Sequence, residues 1–348
     1  MTSQPQGPWR RAWRRFHSNR LGYHSLQIFA VLFGLSLCAE VLSNDRPLVV
    51  RYQGHWYFPL VQILPEVTFG GDFPTPTDYL DPFVRKQLTR PGNFVVFPLN
   101  HYHYDTINYF SSAPDPAPPS SQNWLGTDDR GRDLLALALY GFRLSVLFAL
   151  AVTAICAVVG VLYGAVQGYF AGWTDLAMER FVELWGSMPQ LYLLIIFSAL
   201  FTSSVPLLVT LISIFGWLGI AAYVRAEFLK NRTLDYVRAA RALGQRNHVI
   251  IFRHILPNAL TPVITLIPFE MAGSIGALTS LDFLGLGVPP GTPSLGELLQ
   301  QGKNNLDAWW ISLVTISVLV VMLLLLILIG DALRDALDPR KQLSEGAP

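Results

Sequence analysis

Cysteine is nearly missing: Cys38 and Cys156 are the only two in 348 residues, and both fall within apolar stretches. That excludes a disulfide framework and a cysteine-based metal centre, and leaves both as small packing residues. Charge is scarce too. Asp, Glu, Lys and Arg make up 14% of the chain against 51% hydrophobic residues, too little to cover a soluble protein of this length. A net charge of +1 supplies no field that would gather nucleic acid. A Gly-x-x-x-x-Gly-Lys-Ser/Thr phosphate loop is also absent, since Gly302-Lys303 lacks the earlier glycine and the hydroxyl residue. The glycines at Gly285, Gly287 and Gly291 have the wrong spacing for a dinucleotide fingerprint, and nearby prolines forbid the helix that must follow. No triad, carboxylate pair or Cys/His arrangement stands out, so the chain does not read as an enzyme.

Long apolar runs are what it has instead. Leu21 to Leu42, Leu144 to Tyr169, Phe181 to Phe201, Val205 to Val224, Leu260 to Leu286 and Trp309 to Ile329 each approach or exceed the roughly 20 residues that a ~30 Å hydrocarbon layer requires. The expectation is an all-α polytopic membrane protein with six transmembrane helices. The first run follows a basic arm, but it outlasts a signal-peptide core and ends without a small-x-small cleavage pattern, so it is expected to be retained. In that arm Trp9, Trp13 and Phe16 share a helical face beside Arg10, Arg11, Arg14 and Arg15, a pattern suited to anionic headgroups. Six spans put both termini on one side. Sixteen of the 25 Lys and Arg fall on that side, which makes it cytoplasmic by the positive-inside rule.

Within the spans three features matter. Gly186-Ser-Met188-Pro189 interrupts the third, where proline removes a helical hydrogen bond, and it is expected to face the bundle interior and the translocation path. Gly160, Gly164 and Gly168 give the second a smooth face, for packing within the subunit or, as the alternative, along a subunit seam. Glu270 lies near the middle of the fifth span, where an ionisable group either lines a pore or sits protonated between helices. Asp282 and Glu183 lie nearer the span ends.

About 100 residues separate the first two spans. Leu48 to Val61 predicts a hairpin turned at Gln53-Gly54, and Asn93 to Phe97 a further strand. The remainder reads as loop, ending in a polyproline-like spacer over Ala113 to Ser121. His101, His103 and Asp105 alternate onto one face and could ligate zinc if extended, but a polar edge or aromatic-rich surface loop is the plainer account, and no metal is assigned. Gly126 and Gly131 then permit tight turns around Asp128, Arg130, Arg132 and Asp133, which can pair with one another and fix how the next helix begins. Direct substrate binding by that knot is the alternative.

Between the fourth and fifth spans, Thr233 to Pro257 carries Arg238, Arg241, Arg246 and Arg253. Thr233 is expected to cap a helix reaching about Leu243, with Asp235 at its positive end. Gly244 allows a left-handed turn, and a second short helix over His248 to Ile255 is expected to stop at Pro257. Val237, Ala240 and Leu243 fall on one side of the first helix, a narrow small-residue face that would fit a groove on another protein. A basic loop that merely obeys the charge rule is the plainer account.

This stretch resembles the EAA loop of ABC importer permeases, whose pattern is Glu-Ala-Ala, three residues, Gly, nine residues, Ile, any residue, Leu-Pro. Ala239, Ala240, Gly244, Leu256 and Pro257 sit at that spacing, with Arg238 for the Glu and His254 for the Ile. Leu125-Gly-Thr-Asp128 through Gly131-Arg-Asp133 resembles the signature before the second span of dipeptide and oligopeptide permeases. Phe283 to Gly296, preceded by Asp282 where Ser is usual, and Gly330 to Arg340 resemble later signatures of that family. The long insertion and its Tyr52 to Pro59 sequence are similar to the Yej-type oligopeptide and microcin C permeases.

The resemblance implies a type I ABC importer permease fold with a small periplasmic β/loop insertion between helices 1 and 2. It implies residues 1–43 as cytoplasmic arm and first span, 44–122 as the insertion, 123–340 as the permease core with a coupling loop at 228–258, and 341–348 as a cytoplasmic tail. It places ATPase coupling on Tyr236, Arg238, Ala239, Ala240, Arg241, Gly244, Leu256 and Pro257, carries no cofactor on this chain, and puts ATP and Mg on a partner ATPase with two nucleotide-binding domains. It further implies a homologous second permease forming a heterodimer, a periplasmic peptide-binding protein, and the bacterial inner membrane as location. The competing reading is a secondary transporter using Glu270 and Asp282, which leaves the basic hook unexplained.

Overall fold

The computed structural model describes residues 8–109 and 113–337. The chain's last stretch, including residues 338–340 of the C-terminal signature and the expected tail 341–348, lies outside the described residues, as do 1–7 of the arm. The chain is predominantly helical, and four helices are long and apolar enough to cross a membrane, at 134–170, 205–231, 247–283 and 309–337.

In chain order, α1 (Pro8–Ser18), α2 (Arg20–Leu37) and α3 (Ala39–Leu42) come first. A small antiparallel sheet follows, made of β1 (Val49–Tyr52), β2 (His55–Tyr57) and β3 (Phe94–Val96) in the order β2-β1-β3, with α4 (Pro82–Leu88) before its last strand. Then come α5 (Leu134–Phe170), α6 (Gly172–Gly186), α7 (Gln190–Leu200), α8 (Val205–Asn231), α9 (Asp235–Ala242), α10 (Asn247–Val249), α11 (Leu256–Phe283), α12 (Leu295–Asn304) and α13 (Trp309–Leu337).

Two of the six expected spans are built from shorter pieces. The first is an 18-residue helix, α2, about 27 Å long, followed after Cys38 by the single turn α3. The third divides into α6 and α7, of 15 and 11 residues, at Ser187 to Pro189, where proline withdraws its donor. Met188 and Pro189 are exposed on this chain, not turned into its interior, and no described residue of α6 is buried. Of the remaining helices, α5, α8 and α13 run beyond the expected spans, while α11 starts earlier and stops at Phe283. α5 starts ten residues before the expected Leu144 and its 37 residues extend about 55 Å, because the apolar run continues back through Phe142 to Leu134 and Arg143 alone does not interrupt the helix.

Backbone contacts divide the chain into two compact units. Among the described residues, one holds 8–30, 145–289 and 320–337. Its core joins Phe148 and Val152 of α5, Ile220, Val224 and Phe228 of α8, and Val263 and Leu278 of α11. Gly160, Gly164 and Gly168 pack against α8 of the same chain. A Cβ on Gly164 would lie 2.4 Å from the Ala221 carbonyl oxygen, and one on Gly168 would lie 2.6 Å from that of Arg225. The smooth face therefore serves packing inside the subunit. At the arm, Phe16 is buried against Ala332 and Ala336 of α13.

The other unit comprises residues 31–144 and 290–319. Gln53 and Gly54 both take positive φ, 49° and 88°, the I′-like geometry that matches strand twist, so β1 and β2 pair as expected with Val50 opposite Tyr57. β3 pairs on the other edge of β1. α4 was not expected; Asp81 caps it by accepting from the Phe83 amide, and Val84 and Leu88 join Val50, Tyr52, Phe69 and Tyr79 in a small core. The proline-rich spacer is not loose either. Ala117 donates its amide to Thr127 Oγ1 at 2.7 Å and accepts from the Thr127 amide at 2.9 Å.

Candidate functional site: the basic hook and the charged knot

The hook begins where α8 ends. Thr233 does not cap the next helix: its hydroxyl donates back to the Lys230 carbonyl at 2.8 Å, closing α8, and Leu234 takes the cap position of α9 without a side-chain bond. Gly244 adopts φ +72° as expected. The amides of Gly244 and Gln245 donate to the carbonyls of Arg241 and Ala240, the paired bonds of a Schellman ending. Pro257 stops nothing. The chain passes through α10 and a π-helical turn, Ile250–Ile255, straight into α11, with Pro257 in the first turn of that helix. There its missing donor costs little, and the widened turn before it makes room for the ring.

Val237 and Ala240 are buried, packed in the same core as Ile250, Ile251 and Ile255, so the small-residue face closes onto this chain rather than onto another protein. Leu243 does not share that face; it stands 80% exposed at the end of α9, where the backbone leaves helical geometry. The free edge of the hook therefore runs over Arg238, Ala239, Arg241, Leu243 and Gly244, all exposed. Arg238 reaches Asp235 only at 3.8 Å.

The hook's inner side is bolted by residues that its own sequence does not announce. Tyr169 at the end of α5 donates its hydroxyl to Asn247 Oδ1 at 2.7 Å, while the Arg241 guanidinium stands 5.0 Å from the ring centroid. Arg232 donates to the Tyr169 carbonyl at 3.3 Å. Tyr236 donates to Asn231 Oδ1 at 3.3 Å and accepts from Asn258 Nδ2 at 3.5 Å, tying α9 to the end of α8 and the start of α11. Nearby, Arg225 of α8 makes two bonds to Asp175 of α6, at 2.6 and 3.0 Å. That guanidinium is the main reason the Asp175 carboxyl is held below its usual range.

The knot is a folded loop in the other unit. Asp128, fully buried, accepts from the Arg132 side chain at 2.6 and 2.8 Å and from the amides of Arg130 and Arg132 at 3.0 and 2.8 Å. Arg130 does not pair with Asp133. It pairs with Glu297 of α12 at 2.9 Å, and Gln301 of the same helix donates to Asp128 at 3.4 Å. Asp133 instead opens α5: it accepts from the Ala136 amide at 2.9 Å, from Asn123 at 2.8 Å and from Asn100 at 2.7 Å. Burial nonetheless leaves the Asp133 carboxyl above its ordinary value. The sequence signal for α12 is the Ser294-x-x-Glu297 start of a helix, and Ser294 Oγ accepts from the Glu297 amide at 3.1 Å.

Glu270 is half-buried in α11 facing Gly219 of α8, and it has no hydrogen bond among the described residues. Asp282 closes the loop after α11 by accepting from the Val288 amide at 2.8 Å, a structural duty. His103 pairs with Asp105 while His101 packs on Phe97, and no group of three metal-ligating side chains gathers among the described residues.

Four helices of membrane-crossing length, two of them joined by a basic, hydrogen-bonded hook, define a multi-pass membrane protein. The chain belongs to the family described as binding-protein-dependent transport system inner membrane components, which residues 158–343 match; residues 7–54 match the N-terminal TM domain of oligopeptide transport permease C. It is 50% identical over 329 residues to the inner membrane ABC transporter permease protein YejE of Escherichia coli strain K12, covering 94% of this chain and 96% of that one. Identity is 45% over 369 residues, covering 97% and 96%, with the peptidoglycan transport system permease protein YejE of Agrobacterium fabrum strain C58. In solved structures, a chain of the MetNI methionine ABC transporter in inward-facing conformations shares the fold at 17% identity and a TM-score of 0.51, over 59% of this chain and 98% of that one. The protein is thus a multi-pass membrane permease subunit of an ABC-type transport system, with no catalytic role of its own.

Proposed function

We propose that this permease imports peptides, and that the hook is where an ATPase subunit grips it. The observation that carries the reading is the hook itself: an exposed edge over Arg238, Ala239, Arg241, Leu243 and Gly244, with an inner side fastened to α5, α8 and α11. A rigid peg of that kind can pass a partner's motion to the spans. Peptide cargo is supported by relatives named for oligopeptide and peptidoglycan transport.

In this reading the chain makes six spans, α2 and the α6 to α7 pair completing the four longer ones, with both termini cytoplasmic and residues 44–122 forming a periplasmic insertion. A homologous second permease pairs with it, and the exposed break at Met188 and Pro189 then faces that partner across the translocation path together with Glu270. A periplasmic peptide-binding protein delivers cargo. ATP and Mg bind the ATPase and no cofactor binds this chain. Closure of the ATPase dimer displaces Tyr236 to Gly244, and Leu256 and Pro257 pass the displacement into α11.

Co-purification from the native membrane tests the assembly, with a sister permease and an ATPase as the expected catch; recovery of the chain alone overturns it. Glu270→Gln is expected to impair uptake of cationic peptides with assembly unchanged, and unaltered uptake removes Glu270 from the path.

A further inference from the structure

The unit that carries the small sheet also holds a cavity of about 420 Å³, which meets the knot through Asn100. Arg85 of α4, His101, Asn100, Gln122 and Trp124 line it. Arg85 is set in place there. Its Nε donates to the Tyr79 carbonyl at 3.2 Å and its guanidinium lies 5.5 Å from the Phe97 ring centroid, which leaves its terminal nitrogens as donors. No described carboxylate pairs with it.

A fixed, unpaired guanidinium in a recess is the donor geometry that carboxylates match with two parallel bonds. Asn100 and His101 do not compete for it. Asn100 spends its amide on Ser43 and Asp133, and Asp133 directs its oxygens to Asn123, Asn100 and the Ala136 amide. His101 is pushed below its usual pKa by burial and by the nearby Arg85 charge, so at neutral pH it is a neutral partner and adds no second cation. Trp124, 51% exposed, offers a flat apolar wall beside the mouth, and Gln122 offers an amide that can meet a peptide group.

We propose that this cavity is a binding subsite for the C-terminal carboxylate of a short peptide, with Arg85 taking the carboxylate and Trp124 flanking the residue next to it. The proposal rests on the reading of peptides as cargo, but it concerns binding alone and needs neither ATP nor a binding protein.

The test is calorimetric titration of the intact transporter in nanodiscs, without nucleotide or binding protein, using tri-alanine and tri-alanine amide as probes. Tri-alanine is expected to bind about tenfold more tightly than its amide, the usual size of a charge-assisted bond. Arg85→Gln is expected to erase that difference, Arg85→Lys to keep part of it, and Trp124→Ala to weaken both probes alike. Equal binding of acid and amide to the unaltered transporter, or no binding of either at millimolar concentration, overturns the proposal. So does an Arg85→Gln variant that leaves tri-alanine unaffected but loses affinity for the peptide-binding protein, which would make the cavity a docking socket for an acidic side chain of that protein. Should Arg85→Gln unfold the sheet unit, the acid-against-amide comparison on the unaltered and Trp124→Ala transporters still decides. Failure here leaves the co-purification result, and hence the permease assembly, untouched.

Discussion

The hook and the knot are both built on arginines, and they spend them in opposite ways. In the knot, Arg132 and Asp128 meet at 2.6 Å with 5% and 0% of their side chains exposed, and every bond that Asp128 can accept is used. In the hook, Arg238 is 70% exposed and barely reaches a fully exposed Asp235. A buried, fully bonded pair fixes a backbone path, because neither charge can exist there alone. An exposed, weakly paired arginine contributes almost nothing to its own chain and remains free for another protein. The difference separates a part of the permease that holds its shape from a part offered outward.

The sharpest way to break this comparison is to remove the knot's anion. Asp128→Ala leaves Arg132 buried without a counter-charge and strips the Arg130 and Arg132 amides of their acceptor, so a loss of about 3–5 kcal/mol is expected. The melting temperature of the detergent-solubilised chain reads it, and a variant melting like the unaltered protein would show that the knot is not structural. Next in size, Leu243→Asp puts a charge on the hook's bare tip. An exposed apolar anchor at the centre of an interface is worth about 2 kcal/mol of binding. ATPase recovery on co-purification and ATP-driven uptake should both fall while the melting temperature holds. A drop in melting temperature instead would place Leu243 in the fold and not at a contact.

These two regions were not equally legible in the sequence. The turn at Gly244 followed from local chemistry, since a helix-ending glycine needs little beyond its neighbours. The inward face of Ala240 did not, because a helical wheel gives the side of a residue and not which protein that side meets. Tyr169 was invisible as a bolt: an aromatic residue at the end of a span is ordinary at a membrane edge, and its bond to Asn247 closes 78 positions of sequence. In the knot the Asp128–Arg132 pair lies within one short loop and follows from the sequence, whereas the partner of Arg130 and the further donor to Asp128 do not, since Glu297 and Gln301 arrive from a helix some 170 residues away. The four longer spans were plain from apolar length. The first and third were less so, because polar residues and a proline shorten the helix that apolar composition promises.

Tyr169→Phe sharpens the comparison at smaller scale, because it deletes one hydroxyl and keeps the ring beneath Arg241. The lost bond to Asn247 should cost about 1 kcal/mol. If the inner side of the hook is a joint, the variant retains ATP hydrolysis but delivers less peptide per ATP. Hydrolysis and uptake falling in equal proportion would mean that the tyrosine only supports folding.

The smallest effect is expected from the Asp175–Arg225 pair, which is more open to solvent than the knot, with 18% and 28% of the two side chains exposed. Its bonds to Arg225 hold the Asp175 carboxyl below its ordinary value of 3.8. A carboxyl whose folded pKa is depressed contributes stability that is complete above the unfolded pKa and is lost as pH falls through the folded one. Melting temperature should therefore fall below about pH 4 slightly less steeply in Asp175→Asn than in the unaltered chain, while the variant sits below it by under about 1 kcal/mol at neutral pH. Parallel pH profiles would show that this pair, like the exposed one in the hook, contributes nothing measurable, and that only the buried knot uses charge to hold the chain.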